Sequence, residues 1–167
     1  MANRIICAAA FTLVVWCVPA IVAGSEAIGW AEGETDREST ADSELQFEQL
    51  QQELEDRGFA VKLEPPAQQG AYGTLEPSTR TIWIHPVVFE LGIALPVLIH
   101  EGVHAAQVCA GDGMVATLQL DIEPPNATRP FFLRYHSYRR TIEAEAYAVQ
   151  VQPDAYERVG QLLEQHC

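Results

Sequence analysis

The sequence predicts a small α+β domain behind an export leader. Three features carry that expectation: an apolar N-terminal run, short alternating segments separated by turn residues between 59 and 85, and helical apolar spacing on either side of them. A chain of 167 residues supports one domain, and a hydrophobic content of 48% suffices to bury a core.

Met1-Ala2-Asn3-Arg4 precedes an apolar run from Ile5 to Ala23, broken by Thr12 and Pro19. A short positive region followed by a hydrophobic one is the pattern of a secretory signal, so residues 1–24 are expected to be removed, with cleavage after Ala23, Gly24 or Ala27. The competing outcome is an uncleaved anchor, since about 18 apolar residues can cross a bilayer. Residues 25–42 hold acids, Ser, Thr and Gly and are expected to form an acidic flexible spacer. The domain proper is then 43–167.

Within it, Ser43 and Gln46 resemble a capping box, and Leu45, Phe47, Leu50 and Leu54 recur at near-helical spacing. A helix from Ser43 to Arg57 follows, ended by Gly58. Phe59, Val61 and Leu63 alternate as a strand until Pro65-Pro66. Tyr72 to Leu75, the turn Glu76 to Thr79, and Arg80 to His85 read as a hairpin, giving a sheet of about three strands, mostly antiparallel. Pro86 to Leu91 is a short helical turn. Pro96 opens a helix to Cys109, stopped by Gly111, whose apolar residues nearly surround it. Asp112 to Pro130 reads as a loop with one helical turn between Met114 and Leu120. Helices from Leu133 to Val151 and from Asp154 to His166 flank the breaker Pro153.

The apolar helix carries His100-Glu101-Gly102-Val103-His104. Residues four apart share a helix face, so two imidazoles can hold one metal while Glu101 reaches a water beside it. Burying two His and a Glu costs several kcal/mol unless they are paired or coordinated. Gly102 adds about 1 kcal/mol of helix penalty relative to Ala. Stability alone would not select these residues.

A hydrolytic Zn2+ site takes three protein ligands and leaves a fourth position for water. Glu143, Glu145, His136, His166 and His85 are the candidates for the third. The segment Arg139-Arg140-Thr141-Ile142-Glu143-Ala144-Glu145-Ala146-Tyr147-Ala148 resembles the corresponding helix of the gluzincin metallopeptidases, where a Glu-x-x-Ala/Ser pattern follows the first motif. The resemblance covers about Tyr72 to Val151 and implies a compact zincin-like domain. On it, His100, His104 and Glu143 are the metal ligands and Glu101 is the general base. Tyr147 takes the place of an outer polar group that is usually acidic. His136, two helical turns before Glu143, is an alternative ligand or an oxyanion donor, a role that Tyr135, Tyr138 and Tyr147 also fit.

The implied activity is peptide-bond hydrolysis by an exported zinc metallopeptidase acting on peptide or protein substrates. The implied substrate lies along an edge strand, expected at Thr81 to His85. Competing readings are a non-catalytic or structural zinc-binding exported module and a membrane-tethered interaction protein. A net charge of −13, with one Lys and nine Arg, disfavours a polyanionic partner such as nucleic acid. Removal of the leader takes Cys7 and Cys17 with it. Cys109 and Cys167 then remain, either as one disulfide or as two thiols.

Overall fold

The computed structural model describes residues 32–133 and 135–167, with side chains from Thr40 onward. The expected leader and the start of the spacer, 1–31, lie outside the described residues. Those residues form α1 (Glu32–Asp56), β1 (Ala60–Lys62), β2 (Gly73–Glu76), β3 (Thr81–Ile84), α2 (Val87–Glu90), α3 (Ala94–Ala110), α4 (Arg129–Phe132), α5 (Ser137–Gln150) and α6 (Ala155–His166), with a 3-10 turn at Asn126–Thr128. The chain is thus a mixed α+β fold with six helices and one small sheet among the described residues.

α1 begins at Glu32 and not at Ser43. The polar composition that suggested a spacer from residue 25 is compatible with a helix as well, since Glu, Arg and Ala are good helix formers. The C-terminal half of α1 buries Phe47, Leu50 and Leu54, while Leu45 is exposed. Gly58, in the left-handed conformation at φ 83°, ends the helix as expected.

The sheet order is β1-β3-β2. β3 pairs parallel to β1 and antiparallel to β2, so the sheet is mixed and not mostly antiparallel. The cause is that β3 returns from the hairpin between its two predecessors. Thr81, Ile82 and Ile84 are buried, as a central strand requires. Thr81 to His85 is therefore not an edge; β1 and β2 are the edges of the described sheet.

α3 packs against α1, α5, α6, β2 and β3. Every residue from Glu101 to Val108 is buried, which agrees with a helix apolar nearly all round. Gly102 has a packing reason: a Cβ there would come within 2.8 Å of Val159 Cγ2 on α6. The disulfide Cys109–Cys167 joins the end of α3 to the residue after α6.

The expected helical turn between Met114 and Leu120 does not form. Asp112, Gly113 and Gln119 adopt positive φ, and the backbone bonds elsewhere: Ala116 N–H to Gln107 O, and the Leu118 and Gln119 N–H groups to the Glu145 side chain. Side-chain acceptors outcompete the local helix here. Among the described residues, no helix is long and apolar enough to cross a membrane.

Candidate metal centre

Two consecutive inward turns of α3 present His100 and His104, whose rings meet edge to face at 4.8 Å between centroids. α5 crosses α3 and brings Glu143 to them. Its Oε2 lies 3.5 Å from His100 Nε2 and 3.7 Å from His104 Nε2, with all three side chains close to nine-tenths buried. One donor atom from each residue lies within 4.8 Å of the others, the single such group among the described residues.

These separations test whether a metal fits. Nitrogen and oxygen ligands about 2.0–2.2 Å from a tetrahedral ion stand roughly 3.4 Å apart. The carboxylate is at that spacing from both imidazoles and at or beyond the limit for a good hydrogen bond to either. The three donors face a shared volume, so the group is suited to hold a metal ion. The other carboxylate oxygen, Oε1, faces Arg139 Nε at 3.5 Å.

The electrostatics of the metal-free cluster follow from burial and proximity. Burial alone would raise the Glu143 pKa, but the two imidazoles beside it prevail and hold it far below the usual carboxylate range. For His104, burial would depress the imidazole. The adjacent Glu143 carboxylate, the charge of Glu101 and the bond to Gln107 together outweigh burial and raise it.

Glu101 is 5% exposed, one residue round the helix from His100. Burial pushes its carboxyl pKa up, Glu143 adds to this, and the two imidazoles and a hydrogen bond from the Leu75 backbone oppose it. The carboxylate lies against β2. Gly73 on the same strand admits it: a Cβ there would sit 2.7 Å from Glu101 Oε1 and 2.9 Å from its Cγ.

The other expected residues separate. Tyr147 packs its ring on His100, with centroids 4.6 Å apart, and stacks on Phe131. The atom facing His100 Nδ1 is Gln150 Oε1 at 3.0 Å, one turn further along α5. His136 stands exposed at the start of α5, outside the converging group. Tyr138 donates to Val115 O at 2.7 Å, and the Tyr135 ring lies under the Arg139 guanidinium. His85 accepts the Val87 N–H on Nδ1, and His166 lies in the last turn of α6. Glu145 is buried and turned to the 118–119 backbone.

Sequence reasoning missed Gln107, Gln150 and Gly73. A polar amide within an otherwise apolar helix, three residues after His104, was the available signal for Gln107. Nothing in the sequence distinguished Gly73 from a turn glycine. Two surface cavities of about 400 and 300 Å³ lie around Arg80 with the disulfide and around Gln68 with His85; neither is lined by a member of the cluster.

No protein-family model matches the chain, and neither a curated protein nor a solved structure is significantly similar to it.

Proposed function

We propose that the domain is a zinc-dependent peptide hydrolase, a compact zincin-like relative of the gluzincin metallopeptidases, with His100, His104 and Glu143 as ligands. The observation that carries this reading is the spacing of the Glu143 carboxylate, 3.5 and 3.7 Å from two imidazole nitrogens on a separate helix. Two nitrogens and one oxygen suit zinc, and three protein ligands leave a coordination position open, which a closed structural site does not. Bound there, zinc supplies a Lewis acid that makes water nucleophilic near neutral pH.

The chain's own residues then move the protons. Glu101, packed against β2 at Gly73, takes a proton from the attacking water. As the amide C–N bond breaks, it returns that proton to the leaving amine. A carboxyl raised by burial is closer in proton affinity to the groups it serves than an exposed one. β2 is an edge strand and adjoins Glu101, so an extended peptide pairing along it would lie across the site. The Cys109–Cys167 disulfide fits a chain exported to an oxidising compartment.

Glu101→Gln tests the reading. The variant is expected to bind zinc as tightly as the parent while losing peptide hydrolysis by at least about a hundredfold, the usual scale for a general base. Full turnover of a peptide library by this variant would remove Glu101 from the chemistry. A parent that binds zinc but cleaves nothing would leave a binding module.

A further inference from the structure

Gln107 is fully buried on α3, one turn after His104. Its Nε2 donates to Ile142 O at 3.1 Å and to Glu145 Oε2 at 2.8 Å, and its Oε1 lies 2.7 Å from His104 Nδ1. The two acceptors on Nε2 fix which end of the amide is which. Turned round, the amide oxygen would face two oxygens, and both bonds would be lost. With an oxygen against it, Nδ1 must carry the ring proton. The lone pair of the neutral ring is then on Nε2, the atom that faces Glu143.

Glu145 is itself anchored. Leu118 N–H donates to its Oε2 at 2.9 Å and Gln119 N–H to its Oε1 at 2.8 Å. The side chain is 6% exposed, so a chain of satisfied bonds runs from the irregular 112–125 segment to the imidazole. A half-satisfied buried network would cost more than an apolar one, so the full set of bonds is what makes it rigid.

We propose that Gln107 and Glu145 are positioning residues for His104: a buried relay that sets its tautomer for metal binding and takes its rigidity from the 118–119 backbone. It rests on the metal reading of the site. Neither residue touches substrate or metal; both act through the imidazole, as outer partners of metal-bound histidines do elsewhere.

Two near-isosteric variants separate this role from mere packing. In Glu145→Gln the new amide keeps its oxygen on Leu118 N–H and Gln107 Nε2, because the reverse setting would put its NH2 against both donors, so the relay keeps its direction and only the anchor at Gln119 N–H is lost. Gln107→Met keeps the volume and removes the acceptor on His104 Nδ1, so nothing then holds the ring proton on that nitrogen. The probes are long-range ¹H–¹⁵N spectra of the metal-free protein, at a pH where the imidazoles are neutral, and zinc affinity by competition with a chromophoric chelator. The expected results are Nδ1–H on His104 in the parent and in Glu145→Gln, a shift toward Nε2–H in Gln107→Met, and zinc binding about 10–100-fold weaker in Gln107→Met and weakened to a lesser degree in Glu145→Gln. A variant that merely loosened the fold would lower the melting temperature and leave the tautomer alone. The proposal is overturned by Nε2–H in the parent, by an unchanged tautomer in Gln107→Met, or by parental zinc affinity in both variants. If the parent binds no zinc, the hydrolase reading fails, and the nitrogen spectra still decide the relay.

Discussion

Replacing Gly73 by Ala tests how closely β2 holds Glu101, the proposed general base. The added Cβ would stand 2.7 Å from Glu101 Oε1, 2.9 Å from Glu101 Cγ and 2.9 Å from Val97 Cγ1, against an ordinary contact of at least 3.4 Å. Glu101 must therefore recede by about 0.5–0.7 Å, and its side chain is packed at 5% exposure. Moving away also loosens the hydrogen bond from the Leu75 backbone. Overpacking of this kind costs about 1–3 kcal/mol of stability. Its larger effect is on geometry, since misplacing a reacting group by about 1 Å costs on the order of a hundredfold in rate. The assay is kcat/KM on a peptide library at saturating zinc, with zinc affinity measured in parallel. A loss of roughly tenfold to a hundredfold in kcat/KM at unchanged zinc affinity is expected. Parental kcat/KM would refute the placement of the Glu101 carboxylate against β2.

Gly102→Ala removes a helix penalty of about 1 kcal/mol, yet its Cβ meets Val159 Cγ2 at 2.8 Å on a fully buried side chain. A net loss of about 0–2 kcal/mol in urea unfolding is expected, and a gain in stability would contradict the α3–α6 contact. Cys109→Ser with Cys167→Ser opens a link spanning 58 residues. The loop-entropy relation gives a loss of about 4 kcal/mol, read as a lower urea midpoint. The metal-free protein should also lose stability at both ends of the pH scale. Glu143 has a depressed folded pKa, so its contribution is present above the unfolded carboxylate value and disappears as pH falls below it. His104 is raised, so its contribution is present below the unfolded imidazole value and is lost as pH rises through the folded one. Zinc, which needs neutral imidazoles, should reverse the alkaline loss and bind more weakly as pH falls through the His104 titration. Unfolding midpoints from pH 3 to 9, with zinc and with chelator, measure this, and a pH-independent zinc affinity would count against His104 as a ligand.

The sequence was most legible where one segment carried its own signal. Periodicity located α3 and α6 to within about two residues, the usual accuracy of element ends. The ordering of His100, Glu101 and His104 on one helix needs only 3.6 residues per turn. It was least legible where pairing partners lie far apart. The place of β3 between β1 and β2 follows from how the hairpin docks, and no alternation of side chains encodes that choice. The turn expected at Met114 to Leu120 failed for the same reason: the Glu145 carboxylate, on a helix that follows it in the chain, takes up the backbone N–H groups of Leu118 and Gln119.

What the chain determined alone was therefore local: a paired-imidazole helix face, an acid beside it, a mixed complement of helices and strands, and an acidic net charge. Tertiary structure decided which of five candidates joins the imidazoles. Glu143 and Glu145 lie two apart on α5, and a helix rotates about 200° over two residues, so docking on α3 sends one carboxylate to the histidines and the other to the loop. Only the crossing of α3 and α5, set by side chains distributed along both, could make that choice.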